Sequence, residues 1–250
     1  MSPEGAKEML DSSKIKQLAL EVGFDNCGIA RADALTDEEY PLHEWLRRGW
    51  HGDLEYMERN IEKRMDPRLL VPNAKSVICC VSAYPPPENV GGIAAYARTR
   101  EYHTDIKQML FALKEKLVID GKVCCDTVPI SDKHWAARAG LGWIGRHTLL
   151  VTPRWGSWVN LGEIVTTEEC SDYSDCSKHS DYCAICKRCV DACPNHALAP
   201  DGPPMLNVTR CISYYTTHRQ RPLPEGFDTH GYTQGCDLCQ LACPFNQTKR

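Results

Sequence analysis

Apolar residues recur at helical spacing in two stretches of the chain. In SSKIKQLALEVG (12–23), Ile15, Leu18, Ala19 and Val22 share one face, a serine stands at the cap position and Gly23 ends the run. In TDIKQMLFALKEKLV (104–118), Ile106, Leu110, Leu113 and Leu117 fall in register and predict an amphipathic helix. Residues 37–48, 53–63 and 131–140 predict three shorter helices; the last, SDKHWAARAG, has serine at its start and glycine at its end. KSVICCVSAY (75–84) is a nearly continuous apolar run stopped by Pro85, Pro86 and Pro87, which predicts a strand. KVCCDTV (122–128) predicts a second strand. TLLVT and SWVNLGEIVTT, on either side of PRWG, predict a hairpin. Helices and strands alternate, so the first part of the chain reads as an α/β domain.

Composition narrows the class. The chain has 250 residues, of which 42 % are hydrophobic and 25 % charged, an ordinary globular balance with room for one large or two smaller cores. The opening MSPEGAKEMLDSSK has no apolar stretch of the kind a signal peptide needs. No segment approaches the roughly 18 apolar residues of a membrane span, so a cytoplasmic protein is expected. The formal charge of -4 gives no overall pull on nucleic acid. An RNA partner would need a local basic patch.

Cysteine changes the picture most. There are 15, an odd number without an export signal, which argues against a disulfide scaffold and for thiols that hold metal. Cys27, Cys79, Cys80, Cys124, Cys125, Cys170 and Cys176 lack a complete ligand spacing. The pairs Cys79–Cys80 and Cys124–Cys125 read as small buried residues in strands. Cys170 and Cys176 lie in the polar run ECSDYSDCSKHSDY and read as loop residues, with a ligand role as the alternative. The other eight all fall beyond residue 170. That shift places a boundary between a domain of residues 1–170 and one of residues 171–250.

CAICKRCVDACP (183–194) has the spacing C-x2-C-x2-C-x3-C-P of bacterial ferredoxins. The short gaps aim three sulfurs at one cube, and the longer gap sends the fourth towards a second cluster. CDLCQLACP (236–244) supplies C-x2-C-x3-C-P, and Cys211 is the candidate for its missing ligand. By the crossing rule one 4Fe–4S cluster takes Cys183, Cys186, Cys189 and Cys243, and the other takes Cys193, Cys211, Cys236 and Cys239. Zinc, which uses paired C-x2-C knuckles, fits this run poorly.

Other residues are candidates for chemistry. AGLGWIGRHTLL (139–150) is rich in glycine and then carries Arg146 and His147; glycine lets backbone approach a bulky ligand, and a tight helix-to-strand connection is the alternative. The spacing is not that of a dinucleotide fingerprint. Asp126 ends a strand beside Cys124, Cys125, Val128 and Pro129. A carboxylate in apolar surroundings can donate a proton, and a turn aspartate is the plainer alternative. YARTREYH (96–103) mixes aromatics and arginines, and reads as a solvated helix start or a phosphate contact. TRCISYYTTHRQR (209–221) carries Arg210, Arg219 and Arg221 with Tyr214, Tyr215 and His218 and no acid, and reads as an RNA-facing patch or as a surface loop that happens to lack acids.

Taken in order, RMDPRLLVPNAKSVI, YARTREYH, DTVPISDKHWAARAGLGWIGRHTLL, GSWVNLGEI, the ferredoxin run, RCISY and GCDLCQLACP resemble the epoxyqueuosine reductases. The resemblance covers about residues 60–245. It implies an N-terminal α/β domain that binds cobalamin, followed by a ferredoxin-like domain with two 4Fe–4S clusters, a fold of the α+β or α/β class. It implies that cobalamin, fed with electrons by the clusters, removes the epoxide oxygen of a modified base in a tRNA anticodon loop. Asp126 would be the proton donor. Arg64, Tyr96, Asp126, His147, Leu150, Ser157, Ser213, Asp237 and Leu238 would contact the corrinoid. An external donor such as flavodoxin or ferredoxin would supply electrons. Two alternatives stay open: a reductive dehalogenase-like enzyme with the same cofactors, and a ferredoxin-type electron carrier without corrinoid. The chain departs from the family pattern in three ways. Thr99 and Glu101 stand where glycine and aspartate are expected, Arg146 stands for lysine, and the helical repeats of longer members do not follow the clusters.

Overall fold

The computed structural model describes residues 9–37, 39–98, 101–174, 183, 185–217 and 222–247. In chain order its elements are α1 (Ser12–Glu21), β1 (Asn26–Arg31), α2 (Leu42–Arg47), α3 (Ile61–Met65), β2 (Ser76–Ala83), β3 (Gly92–Ile93), α4 (Ala95–Arg98), α5 (Tyr102–Leu117), β4 (Lys122–Cys124) and α6 (Asp132–Arg138). They continue with β5 (Trp143–Ile144), β6 (Leu150–Val151), β7 (Val159–Thr166), α7 (Arg188–Asp191), α8 (Ile212–Thr217), β8 (Tyr232–Gln234) and α9 (Leu238–Leu241).

The main sheet has the order β1-β2-β7-β4, and every pairing in it is antiparallel. Both faces are covered, which is why β2 reads as an unbroken apolar run rather than an alternating one. Alternate residues separate cleanly between two cores. Ile78 and Cys80 pack with Ile15, Ala19, Ile106, Leu110 and Leu113 of α1 and α5. Val77, Cys79 and Val81 pack with Leu42, Trp135, Ala136 and Ala139 of α2 and α6. The mixed α/β class stands. Because the helices lie on both faces of an antiparallel sheet, the arrangement is not built from parallel crossover units.

Several local expectations hold and others are corrected. α5 begins two residues before the predicted stretch and carries the predicted buried face of Ile106, Leu110 and Leu113. α1 is capped by Asp11, whose carboxylate accepts the Ser13 N–H at 2.8 Å, and not by a serine. The region 37–63 condenses into α2, a single 3-10 turn at Glu55–Met57 and the start of α3. α6 ends as its glycine predicts: the Gly140 N–H donates to Ala137 and the Leu141 N–H to Ala136, with Gly140 at φ +74°. The hairpin across PRWG does not form. β6 pairs with β5, and β7 leaves to lie between β2 and β4, so only a Thr152–Gly156 bridge joins the two flanks. A strand buried on both faces removes more apolar surface from water than a two-stranded ribbon does. β1 was not foreseen.

The cluster half folds back on the first half. β8 pairs with β3 in parallel, and Asn246 and Gln240 both reach Ser157. Among the described residues no helix is long and apolar enough to cross a membrane.

Candidate functional site

β4 stops at Cys124 because the chain turns sharply at Asp126. The Thr127 N–H donates to the Cys125 carbonyl at 2.6 Å, closing a three-residue turn, and Asp126 at its apex has φ +53°. That left-handed region is costly for most side chains, and aspartate is among those that tolerate it. The apolar enclosure expected of Asp126 is not found; its side chain is 43 % exposed. Its carboxylate is held instead by α5. The Tyr102 O–H donates to Oδ2 at 2.7 Å, and His103 Nε2 lies 2.8 Å from the same atom. His103 Nδ1 in turn lies 2.5 Å from Glu101 Oε1. Burial, with the Asp126 carboxylate beside it, pushes the Tyr102 phenol far above its ordinary value, so it remains a donor. Nothing in the local pattern connects YH at 102–103 to an aspartate 24 residues on, and this pair was missed.

Asp126 faces a cavity of about 590 Å³ between the two halves of the chain, within the usual range for small-molecule and cofactor sites. Of the nine expected corrinoid contacts, Arg64, Tyr96, Asp126, His147, Leu150, Ser157, Ser213 and Leu238 line it. Asp237 does not. Its carboxylate accepts the Ala95 N–H at 2.9 Å and so supports α4 from behind.

Three lining side chains, His147, Arg64 and Asp132, carry a buried polar atom without a partner. His147 is buried, and burial followed by the charge of Lys133 lowers it to about 4, so the ring is neutral. The Leu149 N–H donates to its Nδ1 at 3.3 Å, which leaves the ring proton on Nε2, a buried donor without an acceptor. Arg64 Nε is likewise buried without a partner, while its Nη2 donates to the Tyr56 carbonyl at 3.0 Å. Ser157 is less available. Its hydroxyl takes Asn246 Nδ2 at 2.8 Å and Gln240 Nε2 at 3.1 Å, so it also joins the two halves.

The glycines of 139–150 serve the chain itself. A Cβ on Gly142 would fall on the carbonyl oxygen of Val151. At Gly142 the close approach is backbone to backbone, whereas a Cβ on Gly145 would meet the His147 ring and the Val151 side chain.

Cys193, Cys211, Cys236 and Cys239 line the same cavity as Asp126. Cys189 and Cys239 share one apolar cluster, formed where α7 meets α9. Burial pushes the Cys189 thiol up to about 11, and Cys243, Cys183 and Cys186 add to the effect. Burial raises Cys239 well above its ordinary value, with Cys211, Cys236, Cys193 and Cys189 adding in the same direction. Thiols crowded in this way are ready to be taken as thiolates by metal. N–H donors already point at two sulfurs: Trp143 Nε1 at Cys183, 3.4 Å, and the Ala197 amide at Cys193, 3.3 Å. Cys170 is not among them; it is buried in the core under α1 and α5. Cys176, Thr99, His218, Arg219 and Arg221 lie outside the described residues. Of the basic patch, Arg210 is exposed, and Tyr214 and Tyr215 meet edge to face at 5.0 Å.

Comparison with known proteins agrees with this geometry. Residues 64–127 match the family described as epoxyqueuosine reductase QueG, DUF1730, and residues 182–246 match a 4Fe–4S double cluster binding domain. An epoxyqueuosine reductase from Cyclobacterium marinum is 37 % identical over 93 % of this chain and 78 % of its own length. The crystal structure of an epoxyqueuosine reductase with an epoxyqueuosine-modified tRNA-Tyr stem loop superposes with TM-score 0.84 at 30 % identity. The match covers 95 % of this chain and 65 % of that one. A reductive dehalogenase superposes with TM-score 0.61 at 17 % identity, covering all of this chain and 34 % of that one, and shares the fold alone. On the curated relative's identity and coverage, the chain belongs to the epoxyqueuosine reductase family.

Proposed function

We propose that this chain reduces epoxyqueuosine to queuosine in tRNA in the cytoplasm. Residues 1–170 would hold cobalamin, and residues 171–250 would hold two 4Fe–4S clusters that supply the electrons. The observation that carries the reading is the cavity, which Asp126 and four of the expected cluster cysteines line together. A pure electron carrier has no use for that arrangement.

The residues present fit a corrinoid. The cavity offers aromatic and aliphatic surface, together with two buried nitrogens, His147 Nε2 and Arg64 Nε, that lack partners. The amide and phosphate oxygens of a corrinoid would satisfy both. Arg64, Tyr96, His147, Leu150, Ser157, Ser213 and Leu238 would hold it, with Asp237 supporting α4. When bound, it supplies the low-potential chemistry that breaks a C–O bond, which no side chain can do.

The chain's own tasks follow. Removing an epoxide oxygen as water consumes two electrons and two protons. Asp126 passes a proton to the departing oxygen from its carboxyl, and Tyr102 and His103 orient that carboxyl towards the cavity. Cys183, Cys186, Cys189 and Cys243 hold one cluster, and Cys193, Cys211, Cys236 and Cys239 hold the other, nearer the cavity. The segment 209–221, with Arg210, Tyr214 and Tyr215, grips a tRNA anticodon loop, where unstacked bases can be read. A small donor such as flavodoxin or ferredoxin delivers electrons.

The test is anaerobic reconstitution with iron and sulfide, titration with hydroxocobalamin, and assay on an epoxyqueuosine-containing tRNA stem loop. The expected result is about eight irons, stoichiometric corrinoid and turnover. Asp126→Asn should keep iron and corrinoid and lose turnover by about 10²-fold or more. Iron without corrinoid would leave an electron carrier, and undiminished turnover in Asp126→Asn would remove its role as proton donor.

A further inference from the structure

Glu163 lies in the middle of β7, opposite Cys79 of β2 and Cys124 of β4, and is completely buried. A carboxyl group at the centre of a sheet, on its apolar face, calls for an explanation. Neither of its oxygens has a hydrogen-bond donor in the structure. Asp132, at the first turn of α6, meets it side chain to side chain, and Asp132 Oδ1 is also buried without a donor. A proton held between them satisfies two acceptors that face each other. The surroundings agree. Burial pushes Glu163 well above its ordinary value, and the charge of Asp132 adds to this. Burial raises Asp132 to about 6, against a hydrogen bond from Glu163 and the backbone N–H groups of Asp126 and Asp132. The proton therefore belongs on Glu163, with Asp132 as the ionised acceptor. The other titratable groups around the pair are the thiols of Cys79, Cys124 and Cys125, the carboxylate of Asp126, and Lys133, which burial lowers to about 8.

The Asp126 turn needs a support of this kind. Its apex is left-handed and non-glycine, Tyr102 and His103 hold only its side chain, and Asp132, six residues on, lines the same cavity. We propose that Glu163 and Asp132 share one proton and that Asp132, held by this pairing, is a positioning residue that fixes the Asp126 turn towards the cavity. The positioning role rests on Asp126 being the proton donor of the proposed reaction; the shared proton does not.

The experiment uses the holoprotein, reconstituted with iron, sulfide and hydroxocobalamin, as wild type, Glu163→Gln and Glu163→Leu. Glutamine keeps a donor to Asp132 and leucine removes it. Infrared difference spectra at pH 8 between wild type and Glu163→Gln should show a protonated-carboxyl band that only the wild type has. Its absence would overturn the shared proton. Hydrogen exchange at the Asp126 amide should quicken about tenfold or more in Glu163→Leu and stay near wild type in Glu163→Gln. Equal exchange in all three would overturn the positioning role, whatever the substrate of the enzyme proves to be. Turnover should fall about tenfold in Glu163→Leu at unchanged KM. In Glu163→Gln it should be retained, with the alkaline limb of the pH profile displaced upward, because an amide donates at every pH. Identical pH profiles for wild type and Glu163→Gln would also count against the pair.

Discussion

Single residues at the cavity are set by what surrounds them, not by their type. Asp126 is held through one oxygen by Tyr102 and His103 and is left partly in water. His147, on the neighbouring wall, is sealed in and neutral. Its state yields a prediction about stability. Below its ordinary value of 6.5 the unfolded chain takes up a proton at His147, which the folded chain refuses until about 4. The folded state then binds fewer protons, so stability falls as pH drops from 6.5 towards 4, and above that window this contribution is constant. The effect is on the order of 3 kcal/mol at most. In corrinoid-free protein, thermal melts between pH 7 and 4 should fall less steeply for His147→Gln than for wild type. Parallel curves would mean that the ring titrates normally.

Among the elements, β7 is the one on which the site depends. It is the interior strand between β2 and β4, it carries Glu163 at its centre, and its first residues line the cavity. The short ribbon of β5 and β6 packs on α6 and presents His147 and Leu150 to the cavity. That ribbon closes only because Gly142 lacks a Cβ where the Val151 carbonyl passes. Gly142→Ala must push two backbones apart, an overpacking cost of about 1–3 kcal/mol. Differential scanning calorimetry should show a melting temperature lower by roughly 2–4 °C for each kcal/mol, and corrinoid should bind more weakly. An unchanged melting temperature would show that the ribbon yields without cost.

For the whole molecule, the cavity exists only because the two halves close on each other, through the β3–β8 pairing and the amides that meet at Ser157. Of the eight expected cluster ligands, all in the second half, Cys193, Cys211, Cys236 and Cys239 line the cavity and the other four do not. Cys189→Ser should therefore remove the outer cluster and spare the inner one. Iron analysis should fall from about eight to about four per chain, while corrinoid binding persists and turnover collapses for want of electrons. Unchanged iron with a normal EPR spectrum would overturn the assignment of ligands.

What was legible in the chain by itself was whatever depends on near neighbours. The spacing of Cys183, Cys186, Cys189 and Cys193, the periodic face of α5, the apolar run of β2 and the glycine that ends α6 all record local geometry, so short windows carry them. β1 escaped because NCGIAR is short and contains asparagine and glycine, which strands disfavour. The false hairpin at PRWG arose because adjacency in sequence was read as pairing in space, when the partners of β7 lie about 80 residues before it and 40 before it. The hold of Tyr102 and His103 on Asp126, and the meeting of Asp132 with Glu163, depend on how α5 and α6 lie on opposite faces of one sheet. Such contacts follow from the burial of two cores at once, and no local pattern of residues encodes them.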